Sequence, residues 1–95
     1  MEITLDCGGK KVIVRDISYG DFEEVVAMAE KEKQPLDFTA YCKGIVSWEF
    51  TDEVTGKLLP ITPMNLRNLK PVGYTLKIID AFKKLNDLSF EEQKK

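Results

Sequence analysis

The sequence predicts an α+β fold, an N-terminal β-hairpin packed against a small bundle of about four helices. Three observations carry this. Two short segments of alternating character flank Gly8-Gly9. Beyond them, capping signals precede apolar residues recurring at helical spacing. Finally, 95 residues without repeat, low-complexity tract or linker fit one domain, residues 1–95, with the hairpin over about 1–17 and a helical part over about 18–92.

The hairpin follows from its turn. Two glycines take the positive φ values that tight hairpins need. Pairing outward sets Cys7 opposite Lys10, Leu5 opposite Val12 and Ile3 opposite Val14 on one face. The other face pairs Asp6 with Lys11, Thr4 with Ile13 and Glu2 with Arg15. One register thus yields an apolar face and two opposite-charge cross-strand pairs.

Ser18 is the expected cap of a first helix, with Asp21 completing a capping box. Phe22, Val25, Val26 and Ala29 follow at helical spacing with Met28 beside them, and Glu30–Lys33 and Pro35 end the run. Asp37 is the expected cap of a second helix whose stripe is Phe38, Tyr41, Cys42, Ile45 and Val46, running towards Trp48. Gly44 within it either weakens the helix or marks close approach of a neighbour. Thr62-Pro63 pairs a capping hydroxyl with proline at the first helical position, and opens a short helix holding Met64, Leu66 and Leu69 that Pro71 stops. From about Val72 to Leu85 a longer helix carries Leu76, Ile78, Ile79, Phe82 and Leu85. That set is wider than one stripe and implies burial on two sides or a partner. Ser89-Phe90-Glu91-Glu92 is a capping box for a last helical turn.

The apolar fraction of 43% and charged fraction of 32% are those of a folded globular chain. A chain of this size buries only roughly 60–65% of its unfolded surface. The formal charge of −2 gives no general reason to expect nucleic acid or an anionic membrane as partner. Acids concentrate early, at Asp21, Glu23, Glu24, Glu30 and Glu32, and bases late, at Lys57, Arg67, Lys70, Lys77, Lys83 and Lys84. Pairing between the two halves is one reading of this asymmetry, and a basic face for an acidic partner is the other. No apolar run approaches the roughly 20 residues that span a bilayer, and the start has no signal-peptide character. Cys7 and Cys42 are expected as reduced thiols in a cytoplasmic compartment.

Reactive chemistry finds little to work with. The chain has no histidine, which removes Ser–His and Cys–His pairs and the commonest transition-metal ligand. Two distant cysteines lack zinc-site spacing. Cys7 lies near Lys10 and Lys11, which would lower its pKa, but it also suits the role of a small hydrophobe on the hairpin face. No catalytic residue, cofactor or metal is therefore expected.

The stretch Trp48–Pro60 is unlike its surroundings. Its glycine and acids miss calcium-loop positions, and Thr55-Gly56-Lys57 lacks the earlier glycine and the Ser or Thr of a phosphate loop. Two readings remain open. One is a turn around Asp52 and Gly56 between short strands near 48–52 and 57–61, with Trp48 in the core. The other is a contact surface, since aromatics favour interface centres. The contact residues expected on the second reading are Trp48, Phe50, Leu58, Leu59 and, from the last long helix, Phe82.

The succession of a strand pair, an acidic helix beginning near Ile17-Ser18-Tyr19-Gly20-Asp21-Phe22-Glu23-Glu24-Val25, then Trp48, Asp52, Gly56, Leu59, Pro60 and Thr62, and a short helix leading to a longer one, resembles the tail assembly chaperones of long-tailed bacteriophages. The resemblance implies a non-enzymatic protein in the cytoplasm of a bacterial host. It would bind the long apolar tape-measure protein, keep it soluble while tail-tube protein assembles around it, and self-associate in some cases. Family members often occur also as a frameshifted longer form, and Lys94-Lys95 would suit a slippery codon pair. Alternatives are another phage structural or connector protein, and a small DNA-binding regulator using residues 62–85 as a helix-turn-helix, against which stand the apolar crowding of the second helix and the acidic balance.

Overall fold

The computed structural model describes residues 1–87, so the expected capping box at Ser89–Glu92 lies outside the described residues. The elements are β1 (Glu2–Cys7), β2 (Lys10–Arg15), α1 (Tyr19–Glu32), α2 (Leu36–Lys43), β3 (Ile45–Trp48), α3 (Pro63–Arg67) and α4 (Val72–Leu85). The three strands form one antiparallel sheet in the order β1-β2-β3. This is the α+β architecture that the pattern predicts, with one strand more.

The hairpin adopts the expected register at every pair, from Glu2 opposite Arg15 to Cys7 opposite Lys10. Gly8 and Gly9 have φ of 62° and 89°, a conformation that side chains disfavour. The Asp6 carboxylate accepts from the Gly9 amide at 2.7 Å and closes the turn. Cys7, Val12 and Val14 are buried on one face, while Thr4, Asp6 and Lys11 stand exposed on the other. All the sheet's principal helix contacts, from α4 to β1 and β2 and from α2 to β3, are thus served by one apolar face.

The third strand corrects the expectation of a long second helix. Helix α2 stops at Lys43, Gly44 caps it, and Ile45–Trp48 pairs with β2 instead. Trp48 lies opposite Val12, Ser47 opposite Ile13 and Ile45 opposite Val14, so Val46 is an extra, bulged residue. In a regular strand, residues three apart point to opposite faces. The bulge lets Ile45 and Trp48 share the buried face, and it mimics the three-residue spacing of a helix. Gly44 is where the chain turns. A Cβ there would lie 2.5 Å from the Phe82 ring and 3.2 Å from the Arg15 carbonyl.

The other helix starts follow their local chemistry. Ser18 Oγ accepts from the Asp21 amide at 3.1 Å, and the Ser18 amide donates to Asp21 Oδ2 at 3.0 Å. Thr62 Oγ1 accepts from the Asn65 amide at 3.2 Å, with Pro63 first in α3. Helix α2 differs from expectation here too: Pro35 is its N-cap and Asp37 sits inside its first turn. Helix α4 turns Thr75, Ile78, Ala81 and Phe82 inward and leaves Val72 and Leu76 exposed. Of the wider apolar set read in the sequence, Leu76 is exposed, while Ile79 and Leu85 are half-buried.

Long-range hydrogen bonds lock the elements together. Thr75 Oγ1 donates to the Leu66 carbonyl at 2.7 Å and ties α4 to α3. Asn86 Oδ1 accepts from the Ile17 amide at 2.7 Å and fixes the β2–α1 link to the end of α4. Among the described residues no buried side-chain polar atom lacks a partner.

Candidate functional site

The stretch Trp48–Pro60 resolves into a turn that satisfies itself. Asp52 Oδ1 accepts from the Val54 and Thr55 amides at 2.7 and 3.1 Å, and Gly56 has φ of 71°. Backbone bonds join Leu59 to Phe50 and Asp52 to Lys57, and Thr51 bridges Leu58. This is the short second hairpin, reduced to a single bridge. The amides of Thr55, then Val54, hold the Asp52 carboxyl below its ordinary range. Asp52 thus faces the turn's own backbone, while Glu49 Oε1 accepts from the Lys11 amide of β2 at 2.7 Å.

Of the five residues expected to contact a partner, three are core. Trp48, Phe50 and Phe82 are 3%, 5% and 2% exposed. Trp48 Nε1 donates to the Leu59 carbonyl at 2.8 Å, its ring meets Phe50 edge-on at 5.3 Å, and Phe50 stacks on Tyr74. Leu59 is half-buried against this cluster. Leu58 alone stays open, at 62%. A partner docking on the folded surface reaches Leu58 and part of Leu59. Within the stretch, Trp48 and Phe50 belong to the core and Leu58 to the surface.

A larger open apolar surface than this turn offers lies along α1, α2 and the segment that leads into α3. A groove of about 370 Å³ runs between Val25 and Met28 of α1, Cys42 of α2, and Ile61 and Pro63. Through Gln34 and Pro63 it continues into a second groove of about 350 Å³ beside Pro35, Met64 and Arg67. Met28 and Met64 are 50% and 71% exposed along this channel. Sequence reading passed over Ile61, Pro63 and Met64 as site residues. The only signal for Met28 was its place beside, not within, the buried stripe of α1.

The groove floor is chemically neutral. Thr39 Oγ1 donates to the Pro35 carbonyl at 2.6 Å, so its hydroxyl is turned back into α2. Burial pushes the Cys42 thiol up to about 12, which keeps it protonated and unreactive near neutrality. Cys7, also a free thiol, is raised by burial despite the lowering influence of Lys77. It is the small hydrophobe of the hairpin face.

Charge stands on the channel's edges. Glu24 and Glu32 line the first groove, and Lys43 Nζ meets Glu24 at 2.9 Å. Lys33 and Arg67 line the second, with Arg67 5.9 Å above the Phe38 ring. The anticipated pairing of the acidic early helix with the basic later half is absent among the described residues. Asp21 meets Arg15 and Glu24 meets Lys43, while Lys84 pairs with Asp80 of its own helix. Among the described residues only Asp21 and Glu24 of the early acids find cations, Arg15 at the end of β2 just ahead of α1 and Lys43 of α2, the helix that packs beside α1.

Among the described residues no three His, Cys, Asp or Glu side chains converge as a metal site, and no helix is long and apolar enough to cross a membrane. Compared with protein-family models, with curated proteins and with solved structures, the chain finds no match.

Proposed function

We propose that this chain is a non-enzymatic binding protein that assists phage tail assembly by covering apolar helical stretches of the tape-measure protein in the bacterial cytoplasm. The observation that carries the reading is the channel from Val25 to Met64, an apolar floor between charged edges left open on a fold whose own core is closed. Methionine suits such a surface, because its unbranched thioether adapts to many partner shapes. The proposed partner rests on the resemblance of the order of sequence features, from the strand pair to Thr62 and the two later helices, to tail assembly chaperones. A helix-turn-helix reading of residues 62–85 gains less support. Helix α3 has only five residues, and the Thr75 hydroxyl near the start of α4 is committed to Leu66.

Co-expression tests the proposal. A tape-measure protein encoded beside this chain should move from the pellet to the soluble fraction when the chain is present. Equal precipitation with and without it contradicts the function.

A further inference from the structure

The channel carries charge in a definite order, and that order specifies its occupant. Along α1 it begins at Glu24, passes Met28 and Glu32, crosses Gln34 and Pro63, and ends beside Lys33, Met64 and Arg67. Only Glu24 among these charges is paired within the described residues. Lys33 and Arg67 share one groove with no acid between them, which favours an incoming carboxylate there. Glu32 faces the other groove without a cation of its own among the described residues.

We propose that this channel seats a single amphipathic helix of a partner protein, in one direction. The apolar stripe of that helix lies over Met28, Ile61 and Met64. Its Lys or Arg flank faces Glu32, since Glu24 is already held by Lys43, and its Asp or Glu flank faces Lys33 and Arg67. Helix-in-groove docking supplies the affinity through buried apolar area, and the rim charges supply the direction. The proposal rests on the chaperone reading for the partner's identity alone, since the channel's chemistry stands without it.

The probe is a synthetic amphipathic peptide of about five helical turns, with leucine on one stripe, lysines flanking one half and glutamates the other. Its isomer exchanges every lysine and glutamate and keeps the apolar stripe. Fluorescence anisotropy at low salt should show one orientation of charge preferred by about tenfold, since two or three exposed ion pairs change from attraction to repulsion. The K33E/R67E variant should lose that preference, and M28E should weaken both peptides by about tenfold or more. These side chains are exposed, so the variants should keep the wild-type thermal melt.

Equal binding of the two isomers overturns the proposal, as does binding that M28E leaves unchanged. Absence of binding by either peptide overturns it too. Sedimentation showing a wild-type dimer that M28E dissociates assigns the channel to a second copy of this chain, and also overturns it. The two readings fail separately. If the wild-type chain keeps the tape-measure protein soluble but ignores both peptides, the channel proposal fails alone. If the peptides are discriminated while the tape-measure protein still precipitates, the chaperone reading fails alone.

Discussion

The sheet with α4 and the helical rim of α1, α2 and α3 are built from similar proportions of apolar residues and finish them differently. On the sheet side the inward groups meet one another, while Val46, Val72 and Leu76 stay exposed on the outer surface: Val12 lies opposite Trp48, Trp48 meets Phe50, Phe50 stacks on Tyr74, and Phe82 fills the space beside Gly44 and Tyr41. On the rim, Met28, Leu36 and Met64 remain 50%, 45% and 71% exposed. A small chain lacks the volume to close both sides. It closes the side that determines its shape and leaves open the side that can be covered by another protein. Substitutions on the two sides should therefore separate stability from binding.

The largest effect is expected at Phe82. Replacing it with alanine opens a cavity under the sheet and should cost about 3–5 kcal/mol in urea unfolding. Next is Gly44→Ala, whose Cβ would stand 2.5 Å from the Phe82 ring. It should destabilise by about 1–3 kcal/mol, and a smaller side chain at 82, such as F82L, should recover part of that loss in a double-mutant cycle. If the two changes prove additive, the close approach is not the cause. Ser18→Ala removes one half of the capping box on α1 and should cost about 1 kcal/mol. On the rim, Met28→Glu and Met64→Glu should change stability by less than about 0.5 kcal/mol and, under the proposed function, should abolish solubilisation of a co-expressed tape-measure protein.

Acid should produce the smallest and most gradual change. The N-terminal ammonium lowers the Asp16 carboxyl, the Ser18 amide lowers Asp21, and the Thr55 and Val54 amides lower Asp52. Their folded pKa values lie below the unfolded ones, so the folded state binds fewer protons. Their contribution is complete above the ordinary carboxylate range, near about pH 4, and is lost as pH falls through the lowered values. Urea midpoints measured downward from pH 6 should hold steady before declining. A decline already under way between pH 6 and pH 5 would assign the acid sensitivity to other groups.

Where local chemistry decides, the sequence was readable. The glycine pair and the alternation about it settle the hairpin register, and Ser18, Thr62 and Pro63 mark helix starts through bonds made within three residues. Tertiary geometry hid the rest. The bulge at Val46 gives Ile45 and Trp48 a helical spacing, so β3 reads as the tail of α2. Trp48 and Phe50 resemble exposed anchors because their partners, Leu59 and Tyr74, come from later in the chain. Asn86 carries no signal for its bond to the distant Ile17 amide. The channel is legible only after folding, since its walls come from three separated segments, none of them striped for that purpose.

Amide hydrogen exchange on the co-expressed complex, compared with the free chain, locates the working surface most directly. Slowed exchange should fall on residues 24–35 and 61–67, with the Val54–Leu58 turn and the outer residues of α4 exchanging as in the free protein. Slowing confined to that turn or to α4, with α1 unchanged, would contradict the assignment of the open rim as the binding face.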